Sequence, residues 1–479
     1  MSKRIYLFLL ILCLLKGMEV PDRLKDLCPN GCKAYFYCDE KSQKCKFKGF
    51  FPLYPLELLE LFALMISSSL ATSCGIGGGI VYSSMILGVE GLEPNQAFPI
   101  SNVLILSCGF VTFISFTLDK YKHPKSPFVH YDMATIFAPS MLVGTKFGAI
   151  LNRILPTSLL LILLTFLIIF STKKTYNNIQ KAKAREAKLI DKEKFILDNS
   201  NNVHKNTNNF SLSKNLENNL NTILISNNNK VEKEKLNEEQ QKLIKEEDNP
   251  LNWERISYIL FLESIVIIDQ LIEGSNKLPS FIGIKRCSFF YWLFFLVYVA
   301  IALYFVKVSL KKVNESIEKK KKIFPDFKSE VIDNVEKNTI FIIGISVLAG
   351  IVSSALGLGG GMITNPLFAS LGMGPKQSSS TSNFLIIVTS IAASFIFILS
   401  GQLEIGYSIC LGFFCTCAAL VGSFYILKYI NRTGKSSILQ VIMGYFCVIS
   451  FFITIYKLFT LDLKGNTFLE SLFVTNRFC

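Results

Sequence analysis

The sequence predicts an all-helical polytopic membrane protein of about nine transmembrane helices, built from two homologous four-helix halves whose first helices are broken by glycines. Three observations predict this fold class. Of the 479 residues, 50% are hydrophobic, and the mean hydropathy is +0.40. Long apolar runs alternate with shorter polar segments. One glycine motif occurs twice, each time inside an apolar run.

The duplicated motif has the pattern Gly-x-Gly-Gly-Gly, and each copy is followed by Pro-x-Gln and then Ser-Asn. An offset of 282 relates the glycines, and past a gap of one residue the offset becomes 281, which pairs Pro94 with Pro375 and Gln96 with Gln377. Just past the glycines, this alignment places Asn365 opposite Ser83. Packing alone would preserve only apolarity, so the repeat predicts a site between the halves. The two copies are Gly75-Ile76-Gly77-Gly78-Gly79 and Gly357-Leu358-Gly359-Gly360-Gly361.

The N-terminus predicts export. A basic start is followed by an apolar stretch of about a dozen residues, too short to span a bilayer, so residues 1–18 are interpreted as a signal peptide. Residues 19–50 are expected to form an extracytosolic cap in which Cys28, Cys32, Cys38 and Cys45 pair as disulfides. A zinc site is the weaker alternative, because the usual Cys-x2-Cys spacing and a nearby His are absent.

The two halves are separated by a polar region. Residues 51–171 form the first predicted transmembrane repeat and residues 338–460 the second, with a C-terminal tail at 461–479. Residues 172–255 are rich in Asn, Lys, Glu and Ser, which predicts a disordered insert with some helix at 179–195.

Residues 256–337 connect these parts and decide the symmetry. The stretch 256–272 is apolar but holds Glu263 and Asp269, which favours an interfacial helix, whereas residues 287–306 form a good span followed by a basic loop. Both lysine-rich regions should prefer the cytosol, yet only one clear span separates them. Whether the first stretch crosses therefore determines whether the halves are inverted or parallel.

Charge and histidine content exclude several functions. The net charge of +14 comes mainly from lysine-rich loops, which fits a lipid bilayer as partner better than a nucleic acid. Three histidines leave little for metal or acid–base catalysis, and the glycines do not complete a dinucleotide-binding motif. The sequence thus predicts no enzyme, no cofactor and no metal.

The glycine clusters predict breaks in their helices. Each glycine costs a helix about 1 kcal/mol relative to alanine, and backbone groups freed within a membrane must be buried in protein or line a wet cavity. A helix that restarts after such a break directs free N–H groups and a positive dipole end at the cavity, which suits an anion. Close helix packing through small residues is the alternative explanation.

Polar residues near the breaks complete the candidate site. The Ser-Asn pairs begin the next spans, where they could assist a ligand or simply cap a helix. Lys146 is a cation within an apolar span, a functional candidate unless it extends to the membrane surface. The candidate substrate-binding residues are Gly75, Gly77, Gly78, Gly79, Ser101, Asn102, Lys146, Gly357, Gly359, Gly360, Gly361, Ser382 and Asn383.

These residues resemble the TauE/SafE family of sulfite and organosulfonate exporters. The resemblance covers residues 56–170 and 340–458 and rests on the glycine-broken span, the Ser-Asn pair and a glycine-containing third span, present twice. It implies a transporter that moves a small anion, such as sulfite or an organosulfur anion. The predicted signal peptide indicates the plasma membrane or a membrane of the secretory pathway. The signal-like N-terminus, the cysteine cap and the long insert depart from the compact bacterial pattern and indicate a eukaryotic-type member.

Two other functions stay open on the sequence alone. An anion channel could use the same glycine breaks as a filter. A receptor or scaffold could use the cap and the insert to bind partners. The oligomeric state does not follow from the sequence.

Overall fold

The computed structural model describes the membrane-embedded parts of the chain almost completely. Its described residues are 36–39, 44–47, 50, 55–74, 77–89, 92–122, 129–204, 251–274, 280–284, 288–323, 335, 338–426 and 437–462. The predicted signal peptide, Cys28, Cys32, Gly75 and nearly all of the C-terminal tail lie outside them.

Within these residues the chain forms twelve helices and one small hairpin. The hairpin strands are β1 (Phe36–Asp39) and β2 (Lys44–Phe47). The helices are α1 (Pro55–Cys74), α2 (Gly79–Val89), α3 (Pro94–Lys122), α4 (Tyr131–Ile154), α5 (Thr157–His204), α6 (Trp253–Glu273), α7 (Phe289–Ile323), α8 (Thr339–Ala355), α9 (Gly361–Ser370), α10 (Pro375–Ser400), α11 (Ile405–Val421, continued by a π-helical turn Gly422–Ile426) and α12 (Ser437–Asp462).

The helix pattern confirms an all-α, multi-pass membrane protein. Seven helices in the described ranges are long and apolar enough to cross a membrane: α3, α4, α5, α7, α10, α11 and α12. The other two predicted spans are each split at the glycines, the first into α1 and α2 and the second into α8 and α9. The predicted breaks therefore coincide with the ends of helices.

Local sequence explains where the helices of the repeat begin and end. Both α3 and α10 start at a proline, which suits the first turn of a helix because its nitrogen has no hydrogen to leave unbonded. Gly401 ends α10 with a φ of 73°, a left-handed conformation that glycine adopts without steric cost.

The hairpin lies in the predicted cysteine cap. Its strands are antiparallel, and Cys38 lies directly opposite Cys45 in the register. Opposite residues of such a pair are about 4.5–5.5 Å apart at Cα, a separation that a disulfide can bridge. The disulfides stay a prediction, now with this pair as one specific candidate.

The two halves exchange their third helices. Helix α4 of the first half packs on α8, the first helix of the second half, where Gly144 and Gly148 lie directly against the backbone of Val347 and Ile351. Likewise, α11 of the second half packs on α1, where Gly422 lies against the backbone of Ser69. Small residues allow this close approach of two helices. The halves are consequently interlocked.

Corresponding helices of the two halves run antiparallel. In the pair α5 and α12, Gly444 lies beside Ile179 and Thr175, whereas Cys447, three residues later, meets Ser171. The contacts move backwards along α5 as α12 advances, so the two helices point in opposite directions. The halves are therefore inverted with respect to each other.

The stretch 256–272, expected to form an interfacial helix, belongs to helix α6 and packs against the bundle, and its position in the membrane stays a prediction. Helix α6 runs beside the span α4 over its whole length: Arg255 pairs with Asp132 at 2.8 Å near the start of both helices, and Glu273 lies 2.8 Å from Lys146 near their ends. Its 21 residues extend about 30 Å, roughly the hydrocarbon thickness of a bilayer. Polar side chains face inward while apolar ones are exposed, as expected of a membrane-embedded helix.

Helix α7 runs antiparallel to α6. Tyr258, near the start of α6, contacts Ser309, late in α7. The chain therefore enters this helix pair and leaves it at the same end of the bundle, where both lysine-rich regions attach. This arrangement removes the conflict over their common preference for the cytosol. The predicted insert at 172–255 is also partly ordered, because α5 continues to His204.

Candidate functional site at the meeting of the glycine breaks

The two glycine breaks meet inside the bundle at a pair of isoleucines. Gly77 and Gly359 each lie against the side chains of both Ile105 and Ile386. These isoleucines are related by the repeat offset of 281 and are 1% exposed. They therefore lie at the centre of the pseudosymmetric interface between the halves.

The first break borders a small cavity between the halves. Gly77 and Gly78 line it together with Thr72 and Tyr82, and Asn383 reaches it from the second half. About 10 Å³ is available to the centre of a water-sized molecule, which is room for about one water. Every lining side chain is uncharged. Backbone dipoles and neutral hydrogen-bonding groups therefore dominate its electrostatics.

The remaining glycine of the first motif has a packing role. A Cβ added at Gly79 would lie 2.5 Å from the carbonyl oxygen of Leu358, in the second break. The backbones of the two breaks touch here. Only glycine permits this approach, so the alternative explanation of close packing holds for this position.

The second break is fully buried and depends on glycine for its backbone shape. Gly357 and Gly359 have φ values of 61° and 68°, in the left-handed region that L-residues with side chains disfavour. Gly360 lies against Met141 of α4, and α9 restarts at Gly361. The chain thus ends α8, turns through two left-handed glycines and begins a new helix.

The restarted helix presents free backbone donors. The amides of Ile363 and Thr364 bond to the carbonyl of Gly360, but those of Gly361 and Met362 have no acceptor among the described residues. The first amides of any helix lack a partner within it. Two N–H groups and the positive end of the helix dipole are consequently available beside the break.

Matched hydroxyl pairs support both breaks. Ser83 and Ser101 are 3.0 Å apart at their Oγ atoms, and Ser101 Oγ donates to the Gly357 carbonyl at 2.8 Å. In the second half, Thr364 and Ser382 are 2.6 Å apart. These hydroxyls fix the breaks relative to α3 and α10.

This geometry corrects the sequence alignment. Ser83 matches Thr364 at the offset of 281, and the expected match to Asn365 is wrong because Thr364 contacts the serine that corresponds to Ser101. The one-residue gap in the repeat therefore falls earlier than predicted. With the gap in that place, the sequence alone would have identified the hydroxyl pair.

The two asparagines are placed differently. The side-chain amide of Asn383 donates across the interface to the Gly109 carbonyl at 3.1 Å. Asn102 donates to Phe98, four residues earlier in its own helix, and its Oδ1 is buried without a partner. A buried acceptor of this kind is unusual and indicates a role beyond packing.

Lys146 lies away from the breaks. It is 1% exposed, and its ammonium contacts Asp269 and Glu273 of α6, so it does not extend to the membrane surface. The structure brings the other described candidates together but places this residue in a separate cluster. Sequence reasoning missed its partners, and it also missed Ile105 and Ile386. Among the described residues, no group of His, Cys, Asp and Glu is arranged to hold a metal.

The fold and the site define a multi-pass membrane protein of the transporter class. Inverted halves, interrupted helices and a buried interface between the interruptions are the architecture of secondary transporters. A profile of the sulfite exporter TauE/SafE family matches residues 7–174 and 281–456. The chain belongs to this family.

Relatives in Arabidopsis thaliana support this assignment. The chain is 22% identical to "Sulfite exporter TauE/SafE family protein 1" over 396 residues, which cover 81% of this chain and 79% of the relative. It is 24% identical to "Sulfite exporter TauE/SafE family protein 3", over 78% of this chain and 73% of the relative. No solved structure matches the chain significantly.

Proposed function

We propose that this protein is a secondary carrier for a small anion, sulfite or an organosulfur anion, bound between the two glycine breaks. The observation that supports this most is the convergence of Gly77 and Gly359 on one isoleucine pair. Free amides at the start of α9 suit an anion, and the names of the relatives suggest sulfite.

Transport would proceed by alternating access. The cavity has room for about one water, so an anion enters only when Ile105 and Ile386 separate. Because the halves are inverted, separation from one side and then from the other would expose the same site to each face of the membrane. A closed interface of this kind favours a carrier over an open pore.

The test is anion uptake into proteoliposomes that contain the purified protein. Gly77→Ala is the most informative variant, because its Cβ would enter the site at 3.4 Å from Ile386, an ordinary contact. We expect uptake of labelled sulfite to fall about tenfold, equivalent to about 1.4 kcal/mol, with little change in thermal stability.

Gly344→Ala is the matched control, since a Cβ there meets nothing within 4 Å. It should transport like the unmodified protein. If Gly77→Ala also transports at the normal rate, the site is not at the breaks. Large unitary currents in a planar bilayer would instead establish a channel, whereas saturable flux supports the carrier.

A further inference from the structure

A cluster of buried charged groups lies between α4, α6 and α7, outside the glycine breaks. The Lys146 ammonium of α4 contacts the Asp269 carboxylate and lies 2.8 Å from Glu273 Oε1, both on α6. The side chains of Lys146 and Glu273 are each 1% exposed. Charged groups buried within the helix bundle of a membrane protein are costly and are kept mainly where they function.

The carboxyl groups of the cluster outnumber its cations. Glu263 lies on the same buried stripe of α6, and both its carboxyl oxygens are buried without a hydrogen-bond partner. A further cation, Arg153 of α4, acts on Glu273 through space while its Nε donates to Gln402. Two of the three carboxyl groups therefore share Lys146 as their direct partner, and Glu263 has none.

The other elements packed on α6 add one titratable group. Tyr298 of α7 faces the three carboxyl groups, its ring centre lies 5.1 Å from the Lys146 ammonium, and its hydroxyl is buried without a partner. Helix α10 has no titratable side chain between Gln377 and Ser400. At the far end of α6, Arg255 is paired with Asp132.

An excess of buried carboxyl groups binds protons. A carboxylate without a cation or donor is far less stable in a low-dielectric interior than the neutral acid, so the unpaired group takes up a proton instead. One carboxylate would suffice to neutralise Lys146. The second and third are unnecessary for a structural ion pair but suit a site that gains and loses protons.

We propose that Glu263, Asp269 and Glu273, with Lys146 and Tyr298, form a proton-binding site that drives the movement of the anion. The coupling to transport rests on the proposed carrier function. Helix α6, which carries the three carboxyl groups, lies between the two stretches that match the family profile, so these groups are not part of that match.

Helix α4 connects the proton site to the glycine breaks. Lys146 lies on α4 between Gly144 and Gly148, and these two glycines pack on α8. Met141, on the same helix, contacts Gly360 of the second break. A change in the partners of Lys146 therefore acts on the helix that lies against the second break.

Two transport assays test the coupling. The first assay measures uptake of methanesulfonate into proteoliposomes with and without an imposed pH gradient. The charge of this anion is constant over the pH range used. Exchange of labelled for unlabelled methanesulfonate at equal pH measures carrier movement alone. Glu263→Gln, Asp269→Asn and Glu273→Gln preserve side-chain shape, and Glu315→Gln is the control because its side chain is 56% exposed.

We expect the gradient to change uptake by about tenfold in the unmodified protein and in Glu315→Gln, a size typical of linked sites. At least one α6 variant should lose this response while it retains exchange. A gradient response equal to that of the unmodified protein in all three variants would overturn the proposal.

Infrared difference spectra of the purified protein test proton binding without any transport. A pH titration should show the carbonyl stretch of a protonated carboxyl group, and this band should weaken in at least one of the three variants but not in Glu315→Gln. Absence of the band in the unmodified protein would overturn the proton site. Failure of the unmodified protein to move either anion would instead overturn the proposed function, and the spectra would still decide the proton site.

Discussion

The two glycine breaks share the pattern Gly-x-Gly-Gly-Gly but have different surroundings. The first borders a cavity, and its Gly77 has room for a methyl group. The second is buried and turns through Gly357 and Gly359 with positive φ. The difference teaches that a duplicated motif need not have a duplicated role: here one copy lines the space and the other shapes the backbone opposite it.

The largest effect is expected at the contact between the breaks. Gly79→Ala would place a Cβ 2.5 Å from the Leu358 carbonyl oxygen, and this contact cannot be relieved by a side-chain rotation because the atoms of Leu358 that it meets are backbone. We expect a loss of about 3 kcal/mol in stability, seen as a lower melting temperature in detergent or as failure to purify a monodisperse protein. A melting temperature equal to that of Gly344→Ala would contradict the contact.

The next effect separates the two asparagines. Asn383→Leu removes a donor that crosses the interface and leaves the buried Gly109 carbonyl with only its partner inside helix α3, at a cost of about 1.5 kcal/mol. Asn102→Leu removes an acceptor that had no partner, so its melting temperature should change little. Its sulfite uptake should nevertheless fall, if the free oxygen serves the site. Equal destabilisation by both variants would show that the asparagines are equivalent.

The smallest effect distinguishes the two glycines that face the isoleucine pair. Alanine at Gly359 must adopt a φ near 68°, which costs roughly 1 kcal/mol, whereas Gly77 has no such restriction. Gly359→Ala should therefore melt below Gly77→Ala in the same detergent. The reverse order would mean that backbone shape is not what distinguishes the second break.

The sequence predicted local features and missed those that depend on assembly. Glycine clusters break helices wherever they occur, so the split spans were predictable. Ile105 and Ile386, in contrast, resemble every other apolar residue in a span, and only the packing of the halves makes them central. The partners of Lys146 are 123 and 127 residues away, beyond any local pattern. A misplaced gap of one residue was enough to obscure the match of Ser83 with Thr364.

The buried contacts of residues 256–272 could not be predicted for a related reason. Charges in an apolar segment favour the membrane surface when the segment is considered alone. In the bundle, Asp269 and Glu273 are paired with a lysine on a neighbouring helix, which lowers the cost of burying them. The segment alone does not reveal this pairing, because the partner comes from elsewhere in the chain.

The exchange of third helices also constrains the origin of the fold. Either half expressed alone would lack the helix that covers its first helix, because α4 of the first half packs on α8 of the second and α11 of the second half packs on α1 of the first. A half-length ancestor could satisfy both surfaces only by pairing with a second copy of itself inserted in the opposite direction. Such an ancestor would have been an antiparallel homodimer with dual topology, and fusion would have fixed one orientation for each copy. The chain enters and leaves the helix pair α6 and α7 at the same end of the bundle. Insertion of this pair between the fused halves would therefore not change the orientation of either half.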